Sequence, residues 1–527
     1  MAATATLAHN EAGQYANKYI IAAAVSLASM LQVIDSSIVN VAIPNMMGNL
    51  GVTIDEISLV STSYIIASVI VIPMTGWLAS FFGRKRYFAA SIMLFTFASF
   101  MCGTARSLEV LVFWRIVQGI GGGALLATSQ AILYESFPRE EAGTAMAFFG
   151  LGIMVGPTIG PTLGGWITDH YNWPWIFYIN VPLGILAALM VIAYVHNSEY
   201  QQKSNRIDYM GIALLIVSVG ALQWMLEKGE QYDWFDSSLV VTLAVAAVLG
   251  LVLLLWRELT ATEPVIDFRV MKNLQFSTGV VLGVIMGAGL FGSVFVFPLF
   301  LQNLLQMTAW QTGKIILPGA IATAIAMGIV GRLSDRMDNR VLYAFGTLLF
   351  ALAMWKFSHL TAQSGAHDFF WPVIFRGFGL GMMFVPLTNL TLAEIEKRNL
   401  GQATGLYNFF RQMGGSFSIA VVASLLTRFT FEKYALLADH VTMYDAATRS
   451  RLAALTHGMI AKGADPFTAK QQALHMIGGI IHQQASVLSF NKVYLLSGIA
   501  VIITLPLLLV FRSGRPTGEA GGHSISE

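Results

Sequence analysis

Four ionisable residues stand inside long apolar runs of this chain: Asp35, Arg115, Arg376 and Arg411. An acid and an arginine in such surroundings can do proton chemistry. A carboxyl taken out of water keeps its proton, whereas one beside a guanidinium gives it up, so the approach and withdrawal of Arg115 would load and unload Asp35. The plainer alternative is a static ion pair that only joins two segments. Gln32, Asp35, Ser36 and Asn40 recur at helical spacing, which makes a polar stripe rather than a lone charge. Tyr407 and Asn408 lie one turn before Arg411, a group suited either to hydrogen-bonding and stacking a substrate or to a helix-packing network. The candidate substrate contacts are therefore Gln32, Ser36, Asn40, Gln118, Arg376, Tyr407, Asn408 and Arg411, with Arg376 readable instead as a symmetric relic of Arg115.

The elements that must hold these residues are membrane helices. The 527 residues are 55% hydrophobic and 11% charged, against about 25% charged in a soluble domain. Apolar runs such as 87–102, 239–256 and 494–511 are each about long enough to span a bilayer. Fourteen spans are expected, starting near residues 19, 55, 87, 108, 142, 175, 209, 238, 274, 311, 341, 369, 402 and 490. An even number puts both termini on one side. If that side is the cytoplasm, the inner loops hold Arg84, Lys85, Arg86, Arg139, Lys203, Arg206, Arg257, Arg269, Lys272, Arg332, Arg336, Arg340, Lys397, Arg398, Arg512 and Arg515. The short outer loops hold only Arg106 and Lys228, as the positive-inside rule requires. The first eighteen residues lack a cleavable signal pattern and read as a cytoplasmic tail, matched by a tail at 512–527.

The net charge of +2 offers no footprint for nucleic acid. The single Cys102 excludes an intrachain disulfide and reads as packing. His440, His457, His475 and His482 are too scattered for a metal site. No phosphate-binding loop, HExxH or GxSxG pattern occurs, so ATP hydrolysis and membrane hydrolase chemistry have no support.

Internal repetition divides the spans. GWLASFFGRKR at 76–86 is echoed by GRLSDRMDNR at 331–340, and FWRIVQGIGGG at 113–123 by IFRGFGLGM at 374–382, which aligns Arg115 with Arg376. The offsets of 255 and 261 residues nearly agree. Two six-helix bundles are expected, 19–200 and 261–511, as in secondary transporters with a binding cavity between repeats. The spans within 201–260 remain over as an inserted pair. Gly152, Gly156, Gly160 and Gly164 recur every four residues with Pro157 and Pro161 on the same period, which predicts a kinked helix with a smooth packing face. The long outer segment, about 426–489, contains Asp465-Pro466, a helix-start pattern, and predicts a helical outer feature.

Together, LQVIDSSIVNVAIPNM, GWLASFFGRKR, RIVQGIGGG, GIMVGPTIGPTLGG and WPWIFYINVP closely resemble the major facilitator superfamily. More narrowly they resemble its fourteen-helix drug:proton antiporters of the EmrB and QacA type, over about residues 19–511. The resemblance implies an all-α polytopic membrane protein of the major facilitator fold, in which the Gly-Pro motif marks exporters and Arg115 takes part in proton coupling. It assigns the conformational switch to the basic loop with Gly76, Gly83 and Arg84. Ser80 and Phe81 stand where that loop usually has Asp-Arg, whereas the second-half echo keeps Asp335 and Arg336.

The implied function is proton-coupled efflux of hydrophobic or amphipathic drugs across the cytoplasmic (inner) membrane. It needs no cofactor beyond the proton gradient, and the chain is a transporter rather than an enzyme. In the expected cycle Asp35 parts from Arg115 in the outward-open state, takes a proton, and returns it inside when the pair re-forms. One embedded acid against three arginines favours neutral or anionic substrates. In a two-membrane cell the implied partners are a periplasmic adaptor of the membrane-fusion type and an outer-membrane channel. The rival readings are a proton-coupled uptake symporter and a passive facilitator.

Overall fold

The computed structural model describes residues 17–198 and 207–511. The expected tails at 1–16 and 512–527, with Lys203, Arg206, Arg512 and Arg515, lie outside the described residues, as does the side chain of Arg139. Among the described residues, 14 helices are long and apolar enough to span a membrane, and no strand is found. The first six are α1 (Lys18–Leu50), α2 (Asp55–Phe82), α3 (Arg84–Thr104), α4 (Leu108–Ser136), α5 (Ala142–His170) and α6 (Trp175–Tyr194). Next come α7 (Tyr209–Lys228) and α8 (Ser238–Thr260). The second set is α9 (Leu274–Leu304), α10 (Trp310–Ser334), α11 (Asn339–Phe357), α12 (Ala366–Leu392), α13 (Lys397–Ala438) and α15 (Pro466–Val510), with the short helix α14 (Ala446–Ala461) between the last two.

Lipid leaves no water to bond the backbone, so the apolar runs close their hydrogen bonds internally as helices. Polar residues and glycines mark the breaks. Gly83 takes φ +90°, a conformation that a side chain strains, and separates α2 from α3. Thr308 and Gln311 cap each other's backbone N–H at the start of α10.

Two like bundles result. In the first, α1 packs on α4, α5 and α6; in the second, α11 packs on α12 and α15, and α9 on α12 and α13. About the seam between them, α5 lies along α10 and α2 meets α13. The expected inserted pair packs on itself. In α12, 72% of the most apolar stretch is buried, but only 22% in α8, which puts α8 at the rim. Its partner α7 bridges the bundles: Gln223 Nε2 donates to Ser416 Oγ of α13 at 3.0 Å, and Lys228 Nζ to Gln231 at 2.8 Å and to Ser58 of α2.

The glycine row does pack closely, within its own bundle. Gly152, Gly156, Gly160 and Gly164 rest on Ser26, Val33, Ser37 and Ile38 of α1, and a Cβ at Gly152 would sit 2.8 Å from the Ser26 carbonyl oxygen. A different face of α5 meets the second bundle. There Gly143 abuts the Gly331 carbonyl, and a Cβ at Gly331 would come within 2.6 Å of the Ala147 Cβ. The helix passes Pro157 and Pro161 unbroken from Ala142 to His170.

The outer segment is helical from Asp465-Pro466 onward, and that helix is continuous with the span expected from about 490. Asp465 Oδ1 accepts from Phe467 N at 3.1 Å and Thr468 N at 3.2 Å, and the helix begun there runs on to Ile502. Nothing in 466–489 breaks it, because Gly478 and Gly479 keep negative φ. With α13 reaching Ala438, two spans extend outward and α14 packs on α15.

Candidate functional site

Asp35 and Arg115 meet. Arg115 Nη1 lies 2.6 Å from Asp35 Oδ2, and both side chains are withdrawn from solvent, at 1% and 0% exposure. Four helices set the pair. Asp35 is on α1 and Arg115 on α4; α6 contributes Asn180, whose Nδ2 donates to Asp35 Oδ1 at 2.9 Å; and α3 contributes Ser99, which accepts from Asn180 at 3.1 Å. Gln118, one turn beyond Arg115, donates to Asp35 Oδ1 at 2.8 Å and accepts from Arg115 Nη1 at 2.8 Å. Arg115 Nε donates to the Val60 carbonyl at 3.0 Å, and its guanidinium lies over the Tyr64 ring, 4.1 Å from the centroid. The two carboxylate oxygens are thus unequal. Oδ1 accepts two amide N–H groups, whereas Oδ2 faces Arg115 alone. Cys102 packs beside this network, with Sγ 3.6 Å from Gln118 Oε1.

A second polar cluster joins the two bundles. Asn408 of α13 donates to Gln130 of α4 and, with its Oδ1, accepts from Arg411 Nη2 at 2.6 Å. Arg411 lies between the rings of Phe384 and Tyr407, 5.1 and 5.7 Å from their centroids. Nearer the arginine-rich loops, Tyr134 of α4 donates to Asn389 of α12 at 3.1 Å, and Asn389 donates to Ser334 at 2.9 Å.

The remaining candidates spread out. Gln118 spends its amide on the ion pair rather than on an open cavity. Arg376 is buried inside the second bundle, bonded to the Ser293 carbonyl at 3.2 Å and stacked on Phe297. Gln32 is buried, Ser36 bonds its own helix at Val33 O, and Asn40 is exposed and accepts from Ser61 at 3.1 Å.

The end of the molecule carrying Arg84, Arg332 and Arg336 is closed. Asp335 caps the start of α5 across the seam, accepting from Gly143 N at 2.7 Å and Thr144 Oγ1 at 2.9 Å. Burial pushes the Asp335 carboxyl above its usual range, although the Gly143 and Thr144 donors pull it down. Arg84 pairs with Glu135 of α4, Gly76 lets α2 touch the α13 backbone at Gln402 with a notional Cβ 2.7 Å away, and Arg336 is exposed. In this structure, packed shut at that end, Asp35 and Arg115 are paired. Gln118 and Asn180 hold the Asp35 carboxyl within the first bundle.

Sequence reasoning missed Asn180, Ser99, Gln130, Tyr134 and Asn389, and also Glu227 of α7, which accepts from Gln223 Nε2 at 3.1 Å. Glu227 carried a legible signal as an acid near the end of an apolar run. The neutral residues carried none, since their meaning lies in partners up to 278 positions away.

Two like helical bundles about a seam, one with an acid–arginine pair locked in its interior, define a polytopic secondary transporter rather than an enzyme. The profile of the Major Facilitator Superfamily matches residues 25–419, and the chain belongs to that superfamily. Multidrug export protein EmrB of Escherichia coli (strain K12) is 34% identical over 507 residues, covering 95% of this chain and 96% of that protein. Fatty acid resistance protein FarB of Neisseria gonorrhoeae is 32% identical over 497 residues, covering 94% and 96%. The solved human organic anion transporter MFSD10 (TETRAN) aligns at a TM-score of 0.56 with 14% identity, covering 92% of this chain and 99% of that one, a likeness of fold.

Proposed function

We propose that this chain is a proton-coupled multidrug efflux antiporter of the cytoplasmic membrane, with both termini in the cytoplasm and the arginine-rich end facing inward. The observation that carries the proposal is the Asp35–Arg115 pair, fully buried and clamped by two amides. Oδ2, held by Arg115 alone, is the oxygen that takes the proton. Protonation cancels the attraction to Arg115, which keeps its bonds to Val60 and Gln118 and its stacking on Tyr64, so the pair parts without stranding the guanidinium. Proton binding, rather than the closed state itself, then drives separation, and a proton or drug shifts the conformational balance only through its unequal affinity for the two states.

Drug binds at the cross-bundle cluster of Gln130, Tyr407, Asn408 and Arg411. Arg411 is the charged member of the cluster and forms no ion pair among the described residues, which favours neutral or anionic amphipaths. The names of the export and fatty acid resistance relatives support this reading. The gradient alone supplies the energy, and no cofactor is required. The helical outer extension serves a periplasmic adaptor of the membrane-fusion type, with an outer-membrane channel beyond it.

Everted membrane vesicles test the direction and the coupling. Drug should accumulate in the lumen only when the lumen is acid. Accumulation that ignores the proton gradient would instead mean a facilitator, and proton-driven loss of drug from the lumen a symporter.

A further inference from the structure

A groove of about 490 Å³ runs along the outer face of α10, lined by Ile325, Gly328, Ile329, Arg332, Leu333 and Arg336. The face is unlike the rest of that helix. Ala326, Met327, Val330 and Gly331 are buried against the neighbouring helices, whereas Leu317, Ile321, Ile325 and Ile329 are each about half exposed and stand one above the other. Gly328 makes a dip in the row: a Cβ there would meet nothing within 4 Å. At the end of the row stand Arg332 and Arg336, four residues apart and both exposed.

Among the described residues neither arginine forms an ion pair, and the acids nearby are engaged. Asp335 is turned across the seam onto Gly143 and Thr144, Asp338 lies 3.9 Å from Arg340, and Glu141 pairs with Lys18 at 2.7 Å. Two positive charges therefore remain at one end of an apolar groove on a helix long and apolar enough to span a membrane. Basic pockets beside membrane helices, at headgroup depth, attract anionic lipid.

We infer that this groove is a binding seat for one anionic phospholipid, with the phosphate held between Arg332 and Arg336 and an acyl chain lying over Gly328 and along Ile325 and Ile329. The seat adjoins the Asp335 contact across the seam, since Asp335 lies between the two arginines in sequence. A lipid anion there neutralises the charge that would otherwise compete with Gly143 and Thr144 for the Asp335 carboxylate. The inference does not depend on the direction of transport or on the identity of the drug.

Native mass spectrometry of the purified full chain tests it, with phosphatidylglycerol and phosphatidylcholine of identical chains offered in equal amounts. The wild type should retain phosphatidylglycerol preferentially. Arg332→Gln and Arg336→Gln should each lower that preference about fivefold, and the double variant roughly twenty-fivefold. Gly328→Leu, which fills the dip without displacing backbone, should weaken retention with both arginines in place. Equal retention of the two lipids by the wild type, or an unchanged preference in the double variant, would overturn the assignment. So would unchanged retention by Gly328→Leu. Displacement of the lipid by inorganic phosphate would mean a simple anion site instead, and would overturn the lipid seat as well.

Discussion

At the scale of single residues, the ion pair separates charge from clamp. Asn180 donates to Asp35 Oδ1, and a hydrogen bond to a charged group contributes about 1.5 to 3 kcal/mol. Asn180→Leu removes a bond that Oδ1 accepts more strongly as part of a carboxylate than as the carbonyl of the protonated acid. The pH at which proton-driven transport is half-maximal should therefore move upward, by at most about one to two units at about 1.4 kcal/mol per unit. A pH profile of drug flux in proteoliposomes checks this, and an unmoved midpoint would exclude Asn180 from the coupling site. Arg115→Ala should uncouple transport, since a buried carboxylate without its partner costs about 3 to 5 kcal/mol and is relieved by holding a proton permanently. Arg115→Lys should recover only part of the coupling, measured as proton movement per drug, because lysine restores the charge but not the bond to Val60 or the stacking on Tyr64.

The pair itself was legible from residues 35 and 115, because charge in an apolar run has few reasons to be there. Its clamp was not. Asn180 and Gln130 are neutral, and nothing in their own neighbourhoods marks them.

At the scale of the helix, the two faces of α5 do different work. The row at Gly152, Gly156, Gly160 and Gly164 binds α5 to α1, while Gly143 and Ala147 meet Gly331 across the seam. The period of four was visible in the sequence, but which neighbour each face meets depends on how the bundles assemble. The spans were legible almost throughout, since lipid demands about twenty apolar residues and allows few breaks. The last span and the helix before it join without a break at about residue 489, where composition changes while conformation does not.

A side chain at the seam should hold the arginine-rich end open. Gly331→Leu overpacks against Ala147, a cost of about 1 to 3 kcal/mol against the closed state. That corresponds to a shift in population of roughly 5- to 150-fold. A cysteine placed at Ser334 in a Cys102→Ser background should react faster with a membrane-impermeant thiol reagent when Gly331→Leu is also present. Unchanged labelling would mean that the seam is not a gate.

At the scale of the whole molecule, the closed end, the bridging α7 and the outer extension describe one state of a two-bundle exchanger. Phe431, Tyr444 and Phe467 of the extension are 78%, 95% and 72% exposed, an apolar display at that end of the molecule. Replacing about residues 436–484 with a short flexible linker should leave vesicle transport intact and abolish whole-cell resistance. Equal loss of both would give the extension a structural role instead.

The central claim is that a proton reaches Asp35 only by displacing Arg115, and that this exchange is what drives drug uphill. It is tested most directly in proteoliposomes holding a fixed pH gradient, by comparing drug flux through the wild type and Asp35→Asn. Asparagine keeps the shape of the protonated acid but cannot ionise. The variant should fold, exchange drug across the membrane without a gradient, and fail to concentrate it when the gradient is applied. Full proton-driven accumulation by Asp35→Asn would contradict the account.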